Sequence, residues 1–377
     1  MGKVALIGCP DYEMHHVRPA LLRGFSYFGG IEKIFFPGRN VLLKPNLLTG
    51  EKSDKAVTTH PSILLAISEI LIENGFSCGY GDSPGFGSTD TVAKKAGIYF
   101  PLENLRVKVA DFTGKKDISF PQAIQNRQFT VARGLFDYDS ILSLPKWKTH
   151  GFTRVTGAVK NQFGCIPGLL KSELHFKLPD VYHFSRMLVD LNRFLKPVFF
   201  VMDAVVTMEG NGPRNGKPRS MGLLAFSSDP VALDATLCRL VHLDPQQVAT
   251  CLEGEKGNLG KWQIDAIELV GDDFDQFQIP DFDVQRGSIE VYRKEGMIRF
   301  FRNLLLSRPF IDPTRCKSCG VCVEVCPAHP KALQWDGKSR MPHHLYKYCI
   351  RCFCCQEMCP HQAIVIRHPS IRRIIGR

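Results

Sequence analysis

Two stretches, CKSCGVCVEVCP (316–327) and CIRCFCCQEMCP (349–360), repeat one template, C-x2-C-x2-C-x3-C-P. The first places Cys316, Cys319, Cys322 and Cys326 before Pro327; the second places Cys349, Cys352, Cys355 and Cys359 before Pro360. Three thiolates from one tight loop can cap three irons of a cube, and the fourth must come from another direction. Zinc also takes paired cysteines, but it closes with four ligands, commonly two separated C-x2-C pairs. Two complete runs exceed that pattern.

The spacing is that of bacterial two-cluster ferredoxins, in which the fourth cysteine of each run serves the other cluster. It predicts two [4Fe–4S] clusters. One is held by Cys316, Cys319, Cys322 and Cys359, the other by Cys349, Cys352, Cys355 and Cys326. Cys354 breaks the spacing and is expected to point away and pack as a small apolar residue. His329, His343 and His344, between the runs, are expected to be exposed polar residues, because all eight ligand places are filled. Ile364, Val365 and Ile366 read as the closing strand of a small α+β ferredoxin-like two-cluster domain.

The chain of 377 residues is 44% hydrophobic and 23% charged, ordinary for a soluble globular protein. It has no apolar run long enough for a membrane span. The start, MGKVALIGCPDYEMHH, lacks the pattern of a secretory signal, so a cytoplasmic protein is expected. Fourteen cysteines in that compartment point to metal or redox chemistry before disulfides. The net charge is +11, and Pro309–Arg377 holds eleven Lys/Arg against four Asp/Glu, a balance of +7. A basic patch attracts phosphate, yet the tail shows no recognised nucleic-acid motif, and no nucleic acid is expected. Two oxidised clusters at about −2 each offset roughly four of those charges. The remainder suits steering of an acidic electron donor or acceptor protein of low potential.

Ahead of the cysteines, short apolar runs alternate with helical patterns. KVALIGC (3–9), NVLLKPNLL (40–48), PVFFVMDAV (197–205) and IDAIELVG (264–271) read as strands. PSILLAISEILIENGF (61–76) and DPVALDATLCRLV (229–241) read as helices, the second capped by Asp229. The alternation predicts an α/β domain over 1–285, its mostly parallel sheet flanked by helices. A linker over 286–308, mixing basic and apolar residues, joins it to the two-cluster domain over 309–377.

Candidate chemistry collects after the strands, where ligands bind in open α/β sheets. SILSLPKWKTH (140–150) reads as a strand followed by a polar, basic loop; the loop over 145–168 carries Lys146, Lys148, His150, Lys160, Asn161 and Cys165. Cations gathered there suit an anionic substrate, His150 suits proton transfer near neutral pH, and a desolvated lysine suits a base or a Schiff base. Lys148, His150 and Lys160 are therefore the catalytic candidates. Lys44 and Asn46, Asp82 and Ser83, Asn161, and Glu209 and Asn211 are the candidates for substrate binding. Each of these loops also has a plainer reading, as turns and solvated charges. Cys9, Cys78, Cys238 and Cys251 sit in apolar segments and read as buried thiols.

The loops VLLKPNLL, GDSPGFGSTD, LPKWKTHGFTRVTGAVKNQFGCIPG and VMDAVVTMEGNGPRNGKPRSMG, followed by SSDPVALDA, resemble the domain of unknown function 362 family. That family is frequently joined to a two-cluster ferredoxin domain. The resemblance spans most of residues 1–275 and implies an α/β fold, but brings no settled reaction. Together these readings predict an iron–sulfur oxidoreductase that passes single electrons to a small anionic molecule in the α/β domain. The alternative is a non-catalytic electron carrier that docks on a partner enzyme.

Overall fold

The computed structural model describes residues 1–36, 39–85, 87–168, 170–178, 180–287, 307–335 and 341–367. Most of the expected linker and the terminal IRRIIGR lie outside the described residues. One ten-stranded sheet organises the larger part of the chain. Its main path runs Ile267–Gly271, Gly2–Gly8, Lys217–Ser227, Phe199–Glu209, Ser140–Leu144, Asn40–Pro45, Ser77–Tyr80 and Lys108–Val109. Lys217–Ser227 is antiparallel to both neighbours, and the other pairings along this path are parallel.

Both faces of the sheet are buried, which is why its strands read as continuous apolar runs. Val4, Leu6 and Leu42 enter one core; Ala5, Ile7, Val41 and Leu43 enter the other. Successive side chains leave a strand on opposite sides, so each strand feeds both cores. The helices Met14–Ser26 and Pro61–Glu73 contribute to the second core, and Val181–Leu195 and Pro230–Leu240 to the first. Asp229 caps the last of these, accepting from the amides of Val231 and Ala232 at 2.9 and 2.8 Å.

Two expected loops prove to be β-structure. Lys146–His150 is a strand parallel to Phe199–Glu209 and antiparallel to Arg154–Thr156. K-W-K-T-H alternates in the period of a strand, with Trp147 fully buried in the first core. Likewise, the strand predicted at 197–205 continues to Glu209 and returns as Lys217–Ser227.

The C-terminal region is small and ferredoxin-like. Arg308–Ile311 pairs antiparallel with Ile364–Arg367, and Leu333–Gln334 with His343–His344. The two cysteine runs share backbone as well as sequence. Ser318 and Arg351, and then Gly320 and Phe353, occupy equivalent left-handed positions, followed by the short helices Val321–Glu324 and Cys354–Met358. His329 is exposed as expected, but His343 and His344 are half-buried in their strand.

Candidate functional site

Four polar segments of the α/β part meet at one cavity of about 110 Å³. Asn46 follows the strand Asn40–Pro45; Asp82, Ser83 and Gly85 follow Ser77–Tyr80. Lys148 lies in the strand Lys146–His150, and Lys160 and Asn161 in the short helix Ala158–Asn161. Lys171 and His175 add a further wall from the helix Leu170–Lys177. The remaining wall is Val325, Cys354, Glu357 and Met358, all from the cysteine runs.

Buried lysines dominate the site. Lys44 is fully buried; it donates to the carbonyls of Pro45 and Asn161 at 2.9 and 3.0 Å and pairs with Asp82 Oδ1 at 2.7 Å. A buried ammonium so paired has its charge compensated. Lys148 donates to Asn46 Oδ1 at 2.9 Å and to the Val57 carbonyl at 2.6 Å. Burial, with the charges of Lys160 and Lys146, brings its pKa down to about 7. Lys171 bonds to the carbonyls of Ser83 and Pro84, and burial lowers its pKa to about 8.

Lys160 Nζ stands 2.8 Å from His150 Nε2, and its pKa is lowered by burial. His150 Nδ1 accepts from the amides of Phe152 and Thr153 at 2.9 and 3.3 Å. A neutral ring therefore carries its hydrogen on Nε2, 2.8 Å from Glu357 Oε1. Burial and the charge of Lys160 lower the His150 pKa to about 4. Burial opposes ionisation of Glu357, but His150 and Lys160 outweigh it and bring its pKa to about 2. Among the described residues, no carboxylate lies within 4.0 Å of Lys148, Lys160 or Lys171. The carboxylates at the cavity, Asp82 and Glu357, are already engaged by Lys44 and His150. Cationic capacity is left over, which suits an anion.

The cysteine runs are unevenly buried. Cys319 is exposed and Cys316 and Cys322 half-buried, whereas Cys349, Cys352 and Cys355 are buried. Cys316, Cys319, Cys322 and Cys359 line one small cavity together. Cys326 packs with Cys349 in a separate apolar group, and both act electrostatically on Cys355. Among the described residues, no three of His, Cys, Asp and Glu converge as ligands of a single metal ion. The second run is fastened to the α/β part. Gln356 Nε2 donates to the Asn211 carbonyl at 2.8 Å and the Gly212 carbonyl at 3.2 Å. Arg214 bonds to Glu51 and, at 3.2 Å, to the Met358 carbonyl; Asn215 bonds to the Gln356 carbonyl at 3.1 Å.

A model described as domain of unknown function (DUF362) matches residues 41–239, more than half of the chain. The chain belongs to the domain of unknown function 362 family. A thylakoid-associated protein of Synechocystis sp. is 34% identical over 254 residues, 67% of this chain and 78% of the relative. The thylakoid association is the relative's, and the cytoplasmic expectation rests on the sequence alone. A 4Fe–4S dicluster domain model matches residues 308–360. A ferredoxin of Pyrobaculum islandicum is 40% identical over 57 residues, 15% of this chain and 50% of that ferredoxin. In this member of the family, the C-terminal region is thus a [4Fe–4S]-binding, electron-transfer region. Among solved structures, the lactate racemase apoprotein of Thermoanaerobacterium thermosaccharolyticum is 12% identical with a TM-score of 0.42, covering 64% of this chain and 57% of that one. No helix among the described residues is long and apolar enough to cross a membrane.

Asn46, Asp82, Ser83, Lys148, Lys160 and Asn161 line the cavity; Lys44 and His150 stand behind it as partners of Asp82 and Lys160. Glu209 and Asn211 do not line it. Glu209 accepts from the amide of Asp283, and Asn211 ties down the second cysteine run. Lys146 is committed elsewhere, to Asp203 at 2.8 Å and Tyr12 at 2.7 Å. Cys354 faces the cavity beside Lys160 and Glu357, a departure from its expected place in apolar packing. Lys171, His175 and Glu357 carried no signal in the sequence. Glu357 was hidden between cluster-type cysteines, and the other two lie in a short helix of weak periodicity.

Proposed function

We propose that this protein is an iron–sulfur oxidoreductase in which two [4Fe–4S] clusters serve a small anion bound between the α/β domain (1–285) and the cysteine domain (309–377). The linker 286–308 joins the two. Cys316, Cys319, Cys322 and Cys359 hold the outer cluster, and Cys349, Cys352, Cys355 and Cys326 the inner one. The donor chemistry fits, since each set offers four thiols and one set lines a single cavity. When bound, the clusters supply single electrons. The observation that carries the reading is that Cys354 and Glu357, from inside the inner run, share a cavity with Lys148, Lys160 and Lys171. An anion there lies against the inner set of cysteines, while the exposed Cys319 marks where a low-potential electron partner meets the outer set.

The chain's own residues divide the work. Lys148, Lys160 and Lys171 offset the charge of the ligand, and Asn46 and Val57 orient Lys148. Lys160 exchanges a proton with the ligand, and His150, whose Nε2 lies 2.8 Å from both Lys160 and Glu357, positions the two groups across the interface.

Protein purified without oxygen should contain about eight irons and eight sulfides per chain. Zinc, or about four irons, overturns the two-cluster reading. Dithionite-reduced protein, freed of excess dithionite, should then be mixed with pyruvate, whose carbonyl can accept electrons, with malonate and inorganic phosphate as non-reducible competitors, and cluster absorbance followed. Lys160→Ala should keep the cluster spectra but lose any reoxidation by pyruvate. Equal reoxidation in the variant removes the cavity from the function.

A further inference from the structure

The reading above does not separate the lysines around the cavity, but their partners do. Lys44 donates to two carbonyls and also has a carboxylate as its ion-pair partner, Asp82 at 2.7 Å. Lys148 has two acceptors, Asn46 Oδ1 and the Val57 carbonyl, and both are uncharged. Two acceptors use the two hydrogens of a neutral amine and leave its lone pair in the remaining tetrahedral direction. The residue is 1% exposed, lines the cavity, and has the ammonium groups of Lys146 and Lys160 among its electrostatic neighbours. Desolvation and a neighbouring cation are the two means by which a protein turns a lysine into a nucleophile.

We propose that Lys148 condenses with the carbonyl group of a small anionic aldehyde or ketone, a 2-oxo acid being the simplest, to form an imine in this cavity. The inference rests on the cavity being the ligand site. The Nζ lone pair attacks the carbonyl carbon and a carbon–nitrogen bond forms. The carbonyl oxygen leaves as water, taking both amine hydrogens, so atoms balance and no oxidant or reductant is needed. The carboxylate of the ligand faces Lys160 and Lys171, neither of which has a described carboxylate within 4.0 Å. Proton movement to the departing oxygen falls to Lys160, whose Nζ finds no acceptor in the Nε2–H of His150 2.8 Å away and is left to serve the ligand. The Asn46 and Val57 acceptors fix the amine before the ligand arrives, so little reorganisation is required.

The test uses the full chain, purified without oxygen with its clusters in place. Glyoxylate and cyanoborohydride should convert Lys148 into a carboxymethylated lysine, found by peptide mass spectrometry, ahead of the exposed Lys52 and Lys55. Malonate, which has no reactive carbonyl, should protect Lys148 and leave Lys52 and Lys55 unprotected. Lys148→Arg should lose selective labelling while Lys52 and Lys55 are labelled as before. If Lys148 is labelled no faster than Lys52 while malonate still binds, the imine is wrong and the anion site stands. If malonate neither binds nor protects, the site itself fails and the imine with it. The malonate competition needs only the unaltered chain, so a misfolded variant does not remove the test.

Discussion

Glu357 Oε1 meets His150 Nε2 at 2.8 Å, and this contact joins the helix between two cysteines of the second run to the Lys146–His150 strand. The contact is electrostatic, and leaving a buried polar or charged group without its partner costs about 1–3 kcal/mol. Glu357→Ala should therefore lower stability by about 2 kcal/mol in urea titrations. Hydrogen exchange should rise over residues 354–358 and leave the Gly2–Gly8 strand unchanged. An unchanged exchange pattern would show that this contact does not hold the cysteine region in place.

The same contact has a pH signature. The folded pKa of Glu357 is about 2, below the ordinary value of 4.5, so its contribution is present above about pH 4.5 and lost as pH falls toward 2. His150, at about 4 instead of 6.5, binds its proton more readily when unfolded. Its contribution is thus full above pH 6.5 and fades as pH drops toward 4. Both act in one direction, so the melting temperature should decline from pH 6.5 downward. His60, His175 and His344, also lowered by burial, act in the same window, so in His150→Gln the decline between pH 6.5 and 4.5 should become shallower, and an unchanged slope would exclude His150 as a contributor.

Anion affinity should run the other way. Lys148 and Lys171, lowered to about 7 and about 8, are protonated below these values and lose charge above them. Binding of malonate should weaken as pH rises from 7 to 9, by at most about tenfold per unit for each lysine that must take up a proton. Lys171→Met should weaken binding at pH 6.5 by about 1.5–3 kcal/mol, the loss expected for a charged hydrogen bond, and flatten the upper part of the profile. Calorimetry in buffers of different ionisation enthalpy would count the protons, and zero uptake at pH 8 contradicts the assignment.

Much of this architecture was legible because the relevant signals are local. The apolar strands at 3–9 and 40–48 announce burial on both faces, and Asp229-Pro230 announces a helix start. The cysteine runs carry their own spacing, and their shared left-handed positions follow from it. What stayed hidden depends on distant partners. Lys146, Lys148 and His150 looked like a basic loop because three polar side chains masked the alternation around Trp147. Asn211 looked like a ligand group, yet it meets Gln356, 145 positions along the chain. No local pattern marks Glu357 or Cys354 as cavity residues, since both belong to the site only when the second run docks.

Cysteine substitutions separate the sulfurs that hold clusters from the one that does not. Cys355→Ala should reduce iron from about eight to about four per chain, because one cube loses a ligand. Cys326→Ala should remove the same cluster as Cys355→Ala, although it belongs to the other run. Cys354→Ala should keep all the iron, with an altered electron paramagnetic resonance line shape, because its sulfur lies at the cavity between two ligand cysteines. Iron analysis and spectra of the three variants decide this together. Loss of a cluster in Cys354→Ala, with retention in Cys355→Ala, would reassign the third thiolate of the second run.

Gly164 makes the most demanding prediction about the large domain. A Cβ added there would stand 1.8 Å from Asp82 Oδ1 and 2.8 Å from Lys44 Nζ. Neither group has room to yield, because Asp82 Oδ2 also accepts from the Leu47 amide at 2.7 Å and Lys44 is held by two carbonyls. Gly164→Ala must therefore pry apart a buried ion pair, and breaking such a pair costs about 3–5 kcal/mol. The loss should appear in denaturant titrations followed by circular dichroism. Asp82 and Gly164 both line the cavity, so malonate affinity should fall as well, whereas iron content should stay at the wild-type level. A variant with unchanged stability would mean that the Lys44–Asp82 pair is not closed in solution, and the placement of every lysine around the cavity would have to be redrawn.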